Sequence, residues 1–132
     1  MADLFQILFF VGRLIFGSFF IFNAVNHFRM REALTGYAQS KGVPFSGFGV
    51  PFSGLMILFG GLSFIFGFYP KIGVLLVSVF LLVISFSIHN FWALSGDDRM
   101  LQQINFMKNM ALLGACLMFL AIPEPWPLSF GF

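Results

Sequence analysis

The residues that could do chemistry are few, and they stand within or beside long apolar stretches. Arg13 interrupts one apolar segment, His27 and His89 follow two others, and Asn105 and Asn109 begin a fourth. A guanidinium or an imidazole in such a place can bind a ligand oxygen, and two histidines can ligate a haem iron or a metal ion. Without a carboxylate or thiolate nearby, the histidine pair favours a hydrogen-bonding role over haem or metal ligation.

The sequence contains no familiar catalytic arrangement. Cys116 is the single cysteine, so no disulfide can form within the chain. There is no phosphate-binding loop, no H-E-x-x-H motif, and no Ser-His-Asp set with its acid in an apolar segment. Enzyme status stays open on these grounds, but a protein that is not catalytic by itself is favoured.

The composition identifies the solvent that surrounds the chain. Hydrophobic residues make up 59% of the 132 residues and charged residues 9%, whereas soluble domains carry about 25% charged residues. Too few polar side chains remain to cover a water-facing surface, so a soluble monomer is excluded. The net charge of +2 is small and scattered, which argues against a nucleic acid partner. The lipid bilayer is the expected environment.

Four apolar segments separate the charged residues. A helix needs about 20 mostly apolar residues to cross the hydrocarbon core, and each segment reaches that length with its polar ends. None alternates as an outer-membrane strand would. We therefore predict one all-α domain over residues 1–132, a bundle of four transmembrane helices at approximately 4–26, 51–68, 72–91 and 105–122.

The connections between these helices differ in kind. A short interfacial helix is predicted at approximately 30–41, because Leu34, Tyr37 and Ala38 have helical spacing and Gly42 supplies a stop. Residues 44–51, rich in Phe and Gly, are expected to form a loop.

The other two landmarks are a turn and a proline-rich end. Residues 69–71 predict a tight turn between antiparallel neighbours. The segment after the fourth apolar stretch cannot be helical, because it contains Pro123, Pro125 and Pro127. Trp126 in this segment would serve as an interfacial anchor. The many Phe side chains are expected to face lipid or neighbouring subunits, and small residues mark where helices approach closely.

Helical spacing brings the polar residues into two groups. Arg13, near the middle of helix one, should face the bundle interior, where it would either bind a ligand such as a quinone carbonyl or clamp the end carbonyls of a neighbouring helix. His27, His89, Asn105 and Asn109 should meet at one membrane level, with Asn23 one turn away from His27. The candidate ligand-binding residues are Arg13, Asn23, His27, His89, Asn105 and Asn109.

Four short motifs in order resemble the DoxX family of small membrane proteins. They are residues 12–14 (GRL) with 26–28 (NHF), residues 41–44 (KGVP), residues 89–92 (HNFW) and residues 103–114 (QINFMKNMALLG). The resemblance implies a four-helix bundle in the bacterial cytoplasmic membrane. DoxX proteins often carry a Glu early in helix two, where this chain has Met56 and Ile57, so a mechanism that needs that carboxylate is in doubt here.

The resemblance also implies a function. Members are similar to a subunit of thiosulfate:quinone oxidoreductase, and others are tied to membrane-associated oxidant defence. An accessory subunit of a membrane redox system is therefore expected, with a quinone as the candidate cofactor and other membrane subunits or a second copy as partners. The alternative is a non-catalytic assembly or anchoring subunit of a larger membrane complex.

The distribution of basic residues predicts the orientation in the membrane. Both termini and the 69–71 turn share one face, where Lys71 is the single basic residue. Five basic residues lie on the other face: Arg29, Arg31, Lys41, Arg99 and Lys108. Because basic connections stay in the cytoplasm, both termini should lie outside it. A reporter that fluoresces only in the cytoplasm should stay dark when fused after Phe132, and a bright fusion would contradict this orientation.

Overall fold

Five α-helices form the fold in the computed structural model, which describes residues 1–130. They are α1 (Leu4–Arg29), α2 (Arg31–Ser40), α3 (Ser46–Phe66), α4 (Pro70–Ser87) and α5 (Gly96–Met118), with short 3₁₀ helices at Phe91–Ala93 and Phe119–Ala121. Four segments built on α1, α3, α4 and α5 are long and apolar enough to cross a membrane. The predicted all-α bundle of four membrane helices is confirmed, and α2 lies where the short interfacial helix was expected.

The four long helices alternate in direction, which gives the bundle two distinct ends. The start of α1, the 67–69 turn and residues 119–130 lie together at one end, called the turn end; there, the amide of Phe130 donates to the carbonyl of Phe66. The opposite end, called the basic end, contains α2 and the connections 41–45 and 88–95.

Glycines hold α1 against α3. A Cβ placed on Gly17 would lie 2.7 Å from the carbonyl oxygen of Gly61, and a Cβ on Gly61 would lie 2.7 Å from the carbonyl oxygen of Gly17. Nearer the basic end, a Cβ on Gly54 would lie 2.9 Å from the Cβ of His27. The two backbones are therefore close at both levels, as small residues permit in a membrane.

The α3–α4 pair is close at the turn end. A Cβ on Gly60 would overlap the side chain of Val77, and a Cβ on Gly73 would lie 2.5 Å from the hydroxyl of Ser63. Gly67, at φ +69°, ends α3 in the left-handed conformation that glycine adopts without strain. A tight turn does follow, but it lies at 67–69 and not at 69–71 as predicted, because Pro70 and Lys71 already belong to α4.

The helix boundaries differ from the predictions at two starts. The helix α3 begins at Ser46, so most of the predicted 44–51 loop is helical and Pro51 lies inside the helix. Because Pro51 lies beyond the first turn, its missing N–H removes one intrahelical hydrogen bond. The helix α5 begins at Gly96 instead of about 105, and Asp97 and Asp98 occupy its first turn, where the helix dipole favours negative charge.

Aromatic rings close the turn end of the bundle. Trp126 was predicted to be an interfacial anchor, but it is 3% exposed. Its ring lies 5.3 Å from Phe9, 5.7 Å from Phe119 and 6.5 Å from Phe64 between centroids. The prolines do end α5, as expected, but the segment after them folds back over the core and takes the indole with it. That prediction of an anchor was wrong.

The core contains fewer Phe rings than the surface. Phe20 and Phe64 are buried with Ile57, Val77 and Leu81. Ten Phe side chains are exposed, consistent with the expected lipid-facing exterior: Phe5, Phe19, Phe22, Phe28, Phe45, Phe48, Phe52, Phe66, Phe86 and Phe130.

The close α1–α3 crossing predicts the effect of filling it. Gly17→Val should lower the Tm in detergent, because the new side chain must push against the backbone of Gly61, and overpacking of this kind costs about 1–3 kcal/mol. Gly12→Val is the matched control, since a Cβ on Gly12 meets no atom within 4 Å. Equal Tm values for the two variants would contradict this description of the crossing.

Candidate functional site

Arg13 faces the interior, as predicted, and is 1% exposed. Its Nε donates to the carbonyl of Phe64 and one terminal nitrogen, Nη2, donates to that of Ile65, both at 2.8 Å. Further hydrogen bonds run from Nη1 to the carbonyl of Pro127 and from Nη2 to that of Leu128. The last carbonyls of a helix lack intrahelical donors and carry partial negative charge. The guanidinium supplies hydrogen-bond donors and a positive charge to these carbonyls of α3.

Aromatic faces complete the surroundings of this guanidinium. Its central carbon lies 5.5 Å from the ring centroid of Phe9, 5.3 Å from Phe10 and 5.5 Å from Trp126, within cation–π range. Arg13 lies level with the last turn of α3, not at mid-depth of the bundle as its place in helix one suggested. Of the two roles considered for Arg13, this geometry favours the clamp on helix-end carbonyls.

The other predicted residues lie at the basic end, around a cavity of about 240 Å³ between α1, α4 and α5, called the polar cavity. It brings together Asn23, His27, His89 and Asn109. The complete lining is Phe19, Phe20, Asn23, Asn26, His27, Met30, Leu34, Phe80, Leu81, Ile84, His89, Lys108 and Asn109. The structure therefore places four of the six candidate residues in one lining, with Arg13 at the opposite end.

Asn105 lies outside this lining. It is one turn closer to the start of α5 than Asn109, beside Phe106. The ring of Phe106 packs 5.4 Å from Phe86, 5.4 Å from Phe91 and 5.7 Å from Trp92 between centroids. Of the α5 face shared by Asn105 and Asn109, the cavity lining includes only Asn109.

The two histidines have defined hydrogen bonds. Nδ1 of His27 donates to the backbone carbonyl of Asn23 at 2.7 Å, and Nδ1 of His89 donates to Oε1 of Gln102 at 2.6 Å. Both partners are oxygens that only accept, so each Nδ1 carries the proton. In a neutral imidazole the remaining nitrogen, Nε2, is then a hydrogen-bond acceptor.

Gln102 is a supporting residue that sequence reasoning did not select. Its Nε2 donates to the hydroxyl of Tyr37 at 3.4 Å, so one side chain links α2, α5 and His89. The signal was present, because Gln102 stands seven residues before Asn109 on the same face of α5. Lys108 was also not selected as a site residue, although it lines the cavity.

Asn109 has an unusual environment for an amide. Its side chain is 6% exposed and makes no hydrogen bond to any residue within 1–130. Its amide atoms stay accessible from the cavity and are free to bond to a molecule that enters it. The lining contains no Asp or Glu and one cation, Lys108. The polar cavity can therefore satisfy a ligand that carries hydrogen-bond acceptors.

A second, larger cavity of about 390 Å³ lies between α2, α3 and α4, and is called the apolar cavity. Val43, Val50, Val79, Val83 and Ile88 form much of its wall. Met56 of α3 also lines it. This is the stretch of the second membrane helix where the family resemblance implies a Glu. Four residues line both cavities, which therefore adjoin: His27, Leu34, Phe80 and Ile84.

Metal ligation has little support from the donor set. No group of three His, Cys, Asp or Glu side chains that could hold an ion occurs in residues 1–130. The two cavity histidines are accompanied by amides and a lysine, which do not supply the missing anionic ligands.

These features define a multi-pass membrane protein with a polar cavity near one end of its helical bundle. The sequence pattern of the DoxX family matches residues 8–90, more than half of the chain. The chain therefore belongs to the DoxX family. The match includes Arg13, His27 and His89 and ends before α5, so Asn109 lies outside it. No curated protein and no solved structure matches the chain.

The Arg13 clamp predicts a stability effect. Arg13→Leu should lower stability by about 3 kcal/mol or more, since it removes four hydrogen bonds from a charged donor and leaves buried carbonyls unpaired. Thermal unfolding in detergent measures the loss, and limited proteolysis should cut residues 122–130 faster. Arg99→Leu is the control, because Arg99 is exposed. A variant at position 13 with wild-type stability and altered ligand binding would instead assign Arg13 to a ligand.

Proposed function

We propose that this DoxX protein is an accessory subunit of a quinone-linked membrane redox system, and that its polar cavity binds the quinone ring. The observation that carries this proposal is the amide of Asn109, which opens onto the cavity and has no hydrogen-bond partner within residues 1–130. A ligand acceptor in the cavity could accept a hydrogen bond from that amide.

The cavity residues fit both oxidation states of a quinone. Asn109 and Lys108 can donate hydrogen bonds to a quinone carbonyl. In the reduced form the same oxygens are hydroxyls, and Nε2 of neutral His27 or His89 can accept from them. Gln102 and the carbonyl of Asn23 hold the imidazoles in this tautomer. The redox partner that exchanges electrons with the quinone belongs to another subunit in this proposal.

The membrane and orientation are part of the same proposal. The family points to the bacterial cytoplasmic membrane, and the basic residues of the basic end support placing that end in the cytoplasm. The polar cavity then lies near the cytoplasmic side. A quinone ring is polar enough to be placed near the interface, at the level of α2.

Assembly or anchoring is the second candidate function, and one observation favours it. Between Gly96 and Met118, only Asn109 and Cys116 are buried, and α5 exposes Leu101, Ile104 and Met107 among other apolar side chains. Lipid covers such a face, but a helix of another subunit could do so as well. This alternative needs no ligand in the polar cavity.

Quinone retention separates the two functions. The protein is purified from its native membrane in mild detergent, and extracted quinone is measured per mole of protein. Asn109→Leu should lower quinone retention by about tenfold, the equivalent of one lost hydrogen bond. Asn105→Leu is the matched control, one turn away on α5 and outside the lining, and should retain wild-type levels.

Two outcomes would contradict the redox proposal. One is wild-type protein that carries no quinone and binds none when it is added. The other is equal quinone retention by both variants. Partner subunits that co-purify with wild-type protein and with Asn109→Leu alike, in the absence of quinone, would establish the assembly function instead.

A further inference from the structure

The apolar cavity exists because α3 and α4 touch at one end and part at the other. Close contacts at Gly60 and Gly73 fix their approach near the turn end. Toward the basic end α2 covers the space between them, and about 390 Å³ is left open. That volume lies in the range of roughly 300–1,000 Å³ typical of small-molecule sites.

The serine hydroxyls in this wall already have partners within the chain. The hydroxyls of Ser46, Ser53 and Ser87 donate to backbone carbonyls three or four residues earlier, at 2.7, 3.0 and 2.6 Å. His27 uses its Nδ1 in the same way. These groups therefore need no hydrogen bond from a ligand. An apolar hydrocarbon chain fits this cavity better than a polar molecule does.

Charge distinguishes between two sources of hydrocarbon. A phospholipid chain brings a phosphate with it, and the apolar cavity has no Lys or Arg in its lining to meet one. A neutral amphiphile with a single chain needs no such cation. Its polar head would need hydrogen-bonding groups close by, and these are present in the adjoining polar cavity.

The wall that joins the cavities consists of His27, Leu34, Phe80 and Ile84. The rings of His27 and Phe80 pack edge to face, with centroids 5.7 Å apart. We infer that the apolar cavity holds the isoprenoid tail of the quinone whose ring the polar cavity binds, with His27 at the junction. This inference rests on the proposed function, and it makes the ligand a long-chain isoprenoid quinone.

The tail gains little by leaving the bilayer, because lipid is itself apolar. Its preference for the cavity comes from packing contacts with a preformed wall. We therefore expect a moderate effect, with a long-tailed quinone bound about tenfold more tightly than the same ring without a tail.

The first experiment locates the tail directly. A quinone with a photoreactive group near the end of its tail is irradiated with the purified full-length protein, and labelled residues are identified by mass spectrometry. Label should fall on Met56, Val79 or Val83 in the cavity wall. Label confined to the exposed Ile104 and Met107 of α5 would overturn the inference.

The second experiment fills the cavity. Gly49 lines it, and a Cβ there meets no atom within 4 Å, so Gly49→Phe should fold. The variant should bind a long-tailed quinone no more tightly than a tail-less one, with tail-less affinity unchanged. Gly12→Phe is the matched control, also in open space but outside the lining, and should keep the preference. Ser53→Phe is a second filling variant, should Gly49→Phe not fold.

The results separate this inference from the proposed function. If no quinone binds at all, the proposed function fails. If both quinones bind equally to wild-type protein, or if Gly49→Phe keeps the preference for the long tail, the ring site stands and the tail site is wrong. Retained phospholipid that Gly49→Phe loses, with quinone binding unchanged, would also overturn the inference in favour of a lipid chain.

Discussion

The turn end of this bundle depends on one buried guanidinium. Arg13 holds the last carbonyls of α3 and the carbonyls of Pro127 and Leu128 at once, so a single side chain of α1 fixes the end of a neighbouring helix and the returning C-terminal segment. In hydrocarbon, neither those carbonyls nor that cation would find water. The carbonyls stabilise the buried guanidinium, and the guanidinium supplies their hydrogen bonds. The surrounding aromatic rings exclude solvent from these groups.

Closure at the turn end has consequences for the basic end. Helices that cross at Gly17 and Gly61, and at Gly60 and Gly73, are fixed where their backbones touch. From the Gly60–Gly73 contact towards the basic end, no glycine contact holds α3 against α4. The apolar cavity lies between the two helices there, and α2 covers it. One end of the bundle is thus filled by aromatic packing, and the other contains the two cavities.

The two cavities at that end differ in what they leave unpaired. In the apolar cavity the serine hydroxyls are turned onto backbone carbonyls. In the polar cavity the amide of Asn109 opens onto the cavity and has no partner among residues 1–130. A head in one cavity and a chain in the other is the arrangement that both observations support.

The sequence by itself determined the number of membrane helices, the short helix near 30–41 and the proline-imposed end of α5, because apolar length and backbone restriction are local properties. Helical spacing also brought Asn23, His27, His89 and Asn109 towards one level. Only the tertiary structure decided that Trp126 is buried, that Arg13 clamps carbonyls, and that Asn105 lies outside the cavity that Asn109 lines. Those outcomes depend on where distant backbones cross and on a chain segment that folds back, and neither is encoded in the spacing of residues along one helix.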